Sequence, residues 1–256
     1  MLGWKDVSDY PFQVVTLFET VQLEWMLKWK KKEVLHVMLK KYPEVSWHIK
    51  HKAPHLKKAY EEVEKLETTF QYSKELEKKF VQTLEDWIIY VTDPEAYDKQ
   101  EHNLWDKEEL LSIIDCENKT VIDIGSGTGV QAFRVTERAK TVFCVEPIAN
   151  LRTYLKDKAK SLGINNAYVV DGLITDLPYP DNFSDVVMTG HVFGDDIEEE
   201  YKEMHRVVKP GGQIILIPGN NDVDNDIHDF LMKKGFSYAS FLEPGDGMKR
   251  KYWKRK

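Results

Sequence analysis

The sequence predicts an α/β protein, with a mainly parallel sheet covered by helices on both faces and an all-helical region ahead of it. Three observations carry this prediction. Beyond about Thr120, short β-branched apolar runs alternate with amphipathic stretches, the pattern of strand–helix–strand units. No glycine occurs between Trp4 and Asn118, and the stretch after Asn118 holds 13 of the 14 glycines, so the tight connections fall in the second half. Residues 1–100 are rich in Lys, Glu and aromatics, with apolar positions at three- and four-residue steps. The expected division is a helical region over 1–100 and a sheet domain over 101–256.

In the first region, Phe12 to about Leu39 reads as one or two helices through Val14, Leu17, Phe18, Val21, Trp25 and Met26. Pro43 suits the first turn of a short helix over Glu44–Lys50, which Pro54 ends. One long helix is expected from His55 to Val91, with a break near Ser73, stopped by Asp93-Pro94. In the second region, strands are expected at Thr120–Ile124, Thr141–Val145, Ala167–Val170, Ser184–Thr189 and Gln213–Ile217. Helices should run to about Ala139 and over Ala149–Leu162, Ile197–Val208 and Val223–Lys234. Phe236–Leu242 and Met248–Trp253 have only Glu243–Gly247 between them, so they should pair antiparallel at the sheet edge.

Composition narrows the function. Lys and Arg number 36 against 43 Asp and Glu, and the net charge of −7 opposes a chain-wide nucleic-acid surface, leaving room for a local patch. The two cysteines, Cys116 and Cys144, sit beside apolar runs, which argues against a disulfide framework or a cysteine zinc site. No run approaches the ~18 apolar residues of a membrane span. The opening residues show no basic start leading into an apolar stretch. A cytoplasmic, reducing compartment is the expectation.

The informative stretch is Val121-Ile122-Asp123-Ile124-Gly125-Ser126-Gly127-Thr128-Gly129. A buried strand runs into glycines at every second position and then into a helix, so the backbone can approach a ligand closely. In open α/β sheets ligands sit beyond the carboxyl ends of the strands. The next strand ends at Glu146, whose carboxylate could accept both hydroxyls of a ribose. Dinucleotide binders need a glycine where Val130 stands, and the loop lacks positive charge for a pyrophosphate, which opposes a nicotinamide dehydrogenase.

The pattern instead resembles motif I of the class I S-adenosylmethionine (SAM) methyltransferases. Val170-Asp171-Gly172, the stretch Leu177–Val187, and His205-Arg206-Val207-Val208-Lys209-Pro210-Gly211-Gly212-Gln213 resemble further family segments in the correct order. The texture is similar to the ubiquinone/menaquinone-biosynthesis type acting on small molecules. The resemblance covers about residues 95–256. It implies a seven-stranded Rossmann-like sheet of order 3-2-1-4-5-7-6 with the last strand antiparallel, SAM as cofactor, S-adenosylhomocysteine as product, and a small-molecule acceptor methylated at O, N or C.

Residue by residue, the resemblance implies that Gly125, Ser126, Gly127 and Gly129 wrap the methionine and ribose. Asp123 orders the loop or contacts the amino-acid end. Glu146 grips the ribose. Asp171 and Gly172 frame the adenine, with Leu173 and Pro147 as apolar walls. Gly190 and His191 face the sulfonium and the acceptor, and His191 is the candidate general base, its ordinary pKa of ~6.5 lying near working pH. Tyr97 and Trp105 are the aromatic site candidates from the pre-motif stretch. The helical region, with Trp4, Trp25, Trp29, Trp47, Trp87 and Trp105 before or beside it, is expected to cover the substrate or to form a homodimer interface.

Asp195 and Asp196 read as helix caps. His48, His51 and His55 lie at helical spacing, but Pro54 interrupts them, so no metal site is expected. The lysines between Lys28 and Lys41 read as a solvated helix face. The tail Lys249–Lys256 carries six cations in eight residues and reads as a protected edge strand. An RNA or protein methyltransferase docking through that tail is one alternative, and a non-catalytic SAM-binding interaction module is another. No Asn/Asp-Pro-Pro-Tyr follows the fourth strand, which opposes methylation of adenine or amide nitrogens, and scarce cysteine opposes arsenite methylation.

Overall fold

The structure, a computed structural model, describes residues 6–256. Trp4 lies outside the described residues. The chain divides into a helical unit ending at Tyr97 and a sheet unit from Asp98 to Lys256.

In the helical unit a 3-10 turn at Phe12–Leu17 leads into α1 (Thr20–Trp29), α2 (Lys32–Lys41), α3 (Pro43–Lys52), α4 (Lys57–Glu64), α5 (Lys74–Gln82), α6 (Glu85–Thr92) and α7 (Pro94–Asp98), which ends across the boundary. Pro43 occupies the first turn of α3, where its missing N–H has no partner to lose. The long helix expected after His55 is three helices, with one of its two breaks at Ser73 as expected. Residues 65–73 leave the helix, and Ser73 starts α5 by accepting the Leu76 N–H on Oγ at 3.0 Å. At the second break, Thr83 donates its hydroxyl to the Phe80 carbonyl at 2.7 Å and competes with the backbone ladder. The periodicity continued through both breaks because every segment buries its stripe in one core, from Phe12, Leu23, Met26, Leu35 and Met38 to Phe80, Leu84 and Ile88. Glu77 is fully buried there. Burial favours its neutral form, but hydrogen bonds from Tyr72, the Phe12 N–H and Tyr42 outweigh it and hold the carboxyl down at about 2.

The sheet unit begins with α8 (Glu108–Leu111), then β1 (Thr120–Ile124), α9 (Val130–Val135), β2 (Thr141–Val145), α10 (Ala149–Ser161), β3 (Ala167–Val170), β4 (Ser184–Thr189), α11 (Ile197–Val207), β5 (Val208–Asn221), α12 (Asp226–Lys233), β6 (Ser237–Glu243) and β7 (Gly247–Arg255). Strand order is 3-2-1-4-5-7-6, with β7 antiparallel to both neighbours. Alternation along the strands builds two cores. Val121, Val142, Cys144, Val186, Met188, Ile215 and Ile217 fill one face. Ile122, Ile124, Val145, Val187, Ile214 and Leu216 fill the other. α9 stops at Val135, short of the expected Ala139, where Thr136 back-bonds to the Phe133 carbonyl at 2.9 Å. β5 is longer than expected because it pairs with β4 on one side and β7 on the other.

The basic tail is not an edge. β7 lies between β5 and β6, and β6 is the edge strand. Its cations are engaged within the unit. Lys251 meets Glu109 at 2.7 Å, Arg250 meets Asp222 and Asp224 at 2.8 Å each, Lys249 meets Asp246 at 2.6 Å, and Arg255 meets Asp115 at 2.9 Å. Lys254 and Lys256 donate to the Lys234 and His205 carbonyls. Among the described residues no helix is long and apolar enough to cross a membrane.

Candidate functional site

The site is built at the carboxyl ends of β1, β2 and β4. After Ile124 the chain turns through Gly125 (φ +66°) and reaches α9 through Gly129 (φ +86°). A side chain is strained in that left-handed region, by ~1–3 kcal/mol. Space excludes one as well: a Cβ on Gly129 would press on Phe133 and Leu155 at 2.7 and 2.8 Å, and one on Gly125 would collide with Val192. The N–H groups of Gly125 and Ser126 both donate to the Val145 carbonyl, at 2.8 and 3.1 Å, which folds the loop over the end of β2.

Glu146 fixes that fold. Its Oε2 accepts the Gly127 N–H and its Oε1 accepts the Ile148 N–H, both at 2.9 Å. Each oxygen keeps a further lone pair for a ligand hydroxyl. Asp123 lies beneath the loop, and Ser126 donates to its carbonyl at 2.9 Å. Both carboxyls are buried, and burial pushes each up to about 7; the nearby Glu146 charge adds to the effect at Asp123. Two buried oxygens of this loop, Asp123 Oδ2 and Thr128 Oγ1, have no hydrogen-bond partner. Buried polar atoms are rarely left so without reason.

Helix α10 ties the rim together. Arg152 donates to the Glu146 carbonyl at 2.8 Å and to Asp171 at 2.9 Å. Lys158 bridges the Thr128 carbonyl and Asp98, at 3.1 and 2.6 Å. Asp171 is mostly exposed, Leu173 is half-exposed, and Gly172 lies against Val145 and Pro178. Pro147 follows Glu146 directly in the turn into α10.

On the other side, β4 is bound to β1 by Thr189, whose hydroxyl donates to the Ile124 carbonyl at 2.9 Å. Beyond it, Gly190 lies against the Gln131 amide, and His191 takes a left-handed backbone (φ +60°) with its N–H on the Pro218 carbonyl at 3.0 Å. The His191 Nε2 is 2.7 Å from Glu243 Oε1. The next loop is held by Glu200, a buried carboxylate that accepts the N–H groups of Gly194, Asp195 and Asp196 at 2.7, 3.1 and 3.1 Å. Asp196 caps α11, as its position suggested.

The glycine loop, Asp123, Glu146 and the β4 end thus come together. Of the two aromatic candidates, one packs inside the sheet unit and the other belongs to the helical unit. Trp105 is buried between Arg134, 3.8 Å from its ring, and Phe241, so it is a packing residue. Tyr97 belongs to the helical unit, where its ring meets Tyr90. Among the described residues no group of three or more His, Cys, Asp or Glu is placed to share a metal; His51 stacks on Trp47 at 3.8 Å instead. Sequence reading missed Glu200, Arg152, Lys158 and Glu243. Each acts across many residues or through backbone atoms, which no local spacing reveals.

The arrangement fits SAM. A close-approach loop, a carboxylate at the second strand end with unused lone pairs, and two orphaned buried oxygens beside the loop match a ligand with a ribose and a polar amino-acid end. Residues 122–216 match the family model described as a methyltransferase domain. The demethylmenaquinone methyltransferase of Oceanobacillus iheyensis is 30% identical over 125 residues, 46% of this chain and 52% of that protein. An uncharacterized methyltransferase of Anoxybacillus flavithermus is 20% identical over 183 residues, covering 69% and 83%. The chain thus spans about half the length of the first of these relatives. A SAM-dependent methyltransferase from Aquifex aeolicus shares the fold, with TM-score 0.52 and 20% identity, over 64% of this chain and 98% of that one. Residues 122–216 thus match a methyltransferase domain, and the sheet order around them is shared with a solved SAM-dependent methyltransferase.

Proposed function

We propose that the protein transfers the methyl group of SAM to a small-molecule acceptor. The observation that carries this reading is the Glu146 carboxylate braced beneath the glycine loop, where a ribose would lie. SAM supplies a methyl group on a sulfonium, already electrophilic. The chain's own task is to orient both partners and exclude water. Gly125, Ser126, Gly127 and Gly129 cradle the cofactor, Asp123 sets the loop, and Asp171, Gly172, Leu173 and Pro147 border the adenine. Gly190 and His191 face the acceptor, with His191 taking its proton.

Some of the relatives are named for demethylmenaquinone, so bicyclic aromatic rings bearing hydroxyls are the first acceptors to screen. The engaged cations of β7 support a small molecule over RNA. Among the described residues, the helical unit exposes the tryptophans Trp29 and Trp47. A cytoplasmic setting suits the two buried free cysteines.

Calorimetric titration with SAM, S-adenosylhomocysteine and NAD tests the reading. Binding of the two adenosyl ligands and not NAD is expected. Failure of both to bind would overturn it and leave an interaction module.

A further inference from the structure

We infer that Glu243 is a positioning residue for His191, and that the pair selects an acceptor entering as a weakly acidic hydroxyl, a phenol or an enol. The inference rests on the methyltransferase reading above and adds to it the class of acceptor.

The geometry begins with burial. The Glu243 side chain, at the carboxyl end of β6, is fully buried, whereas the His191 side chain is 44% exposed. The carboxylate therefore stands behind the imidazole, and the ring presents its other edge outward. A carboxylate 2.7 Å from Nε2 accepts the Nε2–H and holds the hydrogen there, leaving the lone pair on Nδ1. The ring is fixed from two more directions. Its backbone is held in the left-handed region by the N–H bond to the Pro218 carbonyl, and the His102 ring packs edge-on at 5.8 Å.

Lys249 Nζ is 3.9 Å from Glu243 Oε2 and supplies the opposite charge that a buried carboxylate needs. Asp246 completes the group, 2.6 Å from Lys249. The charged and titratable groups around His191 are thus Glu243 from β6, Lys249 from β7, Asp246 from the turn between them, and His102. A histidine acting only as a wall would not require a buried anion behind it. The location matches the task, because the adjacent Val192 lies against Gly125 of the glycine loop.

The acceptor class follows from proton accounting. A neutral amine attacks with a free lone pair and can give its proton to water afterwards, whereas a hydroxyl must lose its proton as it reacts. The acceptor oxygen bonds to the methyl carbon as the S–CH₃ bond breaks, and the electron pair stays on sulfur. The hydroxyl proton passes to His191 Nδ1 and later to solvent.

The test uses the full chain with SAM and matched probes, 1-naphthol and 1-naphthylamine. Naphthol should be methylated in preference to the amine. Glu243→Gln should lower kcat by about 100-fold, the lower end for loss of acid–base assistance, with the SAM Kd within about 2-fold. Nitrogen-15 NMR of the wild-type protein, which needs no variant to fold, should show His191 as the Nε2–H tautomer. The Nδ1–H tautomer, an unchanged kcat in Glu243→Gln, or preference for the amine would overturn the inference. SAM binding with no naphthol turnover would overturn the acceptor class and leave the cofactor reading standing. Absence of SAM binding would instead sink the methyltransferase reading itself.

Discussion

The Glu146 carboxylate accepts the N–H of Gly127 at 2.9 Å, so the residue proposed to hold the ribose also braces the loop that surrounds it. Binding and local order therefore share one side chain. Glu146→Ala should weaken SAM binding at least about 10-fold and lower stability by ~1–3 kcal/mol, the usual cost of leaving a buried donor unpaired. Calorimetry and urea melts on one preparation separate the two effects. Unchanged SAM affinity would move the ribose site elsewhere.

Asp123 and Glu146 make the site pH-sensitive. Burial raises both carboxyls to about 7, above their unfolded values. Their contribution to stability is then complete below the ordinary carboxylate range and is lost as pH rises through about 7, at up to ~1.4 kcal/mol per pH unit for each group. Without cofactor, wild type should lose more Tm than Glu146→Gln between pH 5.5 and 8. Ionised Glu146 is the better ribose acceptor, so the stabilisation conferred by SAM should grow over the same interval. Parallel Tm profiles for the two proteins would contradict this assignment.

Glu200 gathers three consecutive N–H groups of the loop after β4. Glu200→Ala should release Gly194, Asp195 and Asp196 to rapid amide exchange and cost ~1–3 kcal/mol. The exchange should stay local, with β1 and β4 still protected. Global loss of protection would show that the carboxylate supports the whole unit.

Gly129 enters α9 with a positive φ and no room for a Cβ. Gly129→Ala should destabilise by ~1–3 kcal/mol from strain and contact together. A denaturation midpoint equal to wild type would mean that Phe133 and Leu155 repack freely.

Arg250 and Lys251 are buried within β7 and paired with acidic partners. Neutralising them should lower Tm without revealing any salt-sensitive affinity for RNA. Tight RNA binding by wild type that disappears on neutralisation would restore the tail as a docking surface.

Much of this architecture was legible in the residues. The strand starting at Thr120, the glycine loop, Glu146 and the antiparallel hairpin after Phe236 all follow from alternation, glycine placement and loop length, which are local properties. The break at Ser73 was legible too, but the one at Thr83 was not, because Thr83 acts through a single hydrogen bond that leaves the apolar period intact. Trp105 illustrates the limit for aromatics: composition shows a large ring, and only packing shows that Arg134 and Phe241 enclose it.

The sequence by itself determined the fold class, the glycine loop after β1 and the carboxylate at the end of β2, because each is written within a few consecutive residues. Only the tertiary structure decided that Glu243 stands behind His191, that Glu200 holds the β4 loop, and that the tail's cations are consumed inside the sheet. Those relationships rest on burial and on hydrogen bonds, several of them between residues far apart in the chain. Their energies depend on which groups lose water together, and that is settled only when the strands are laid side by side.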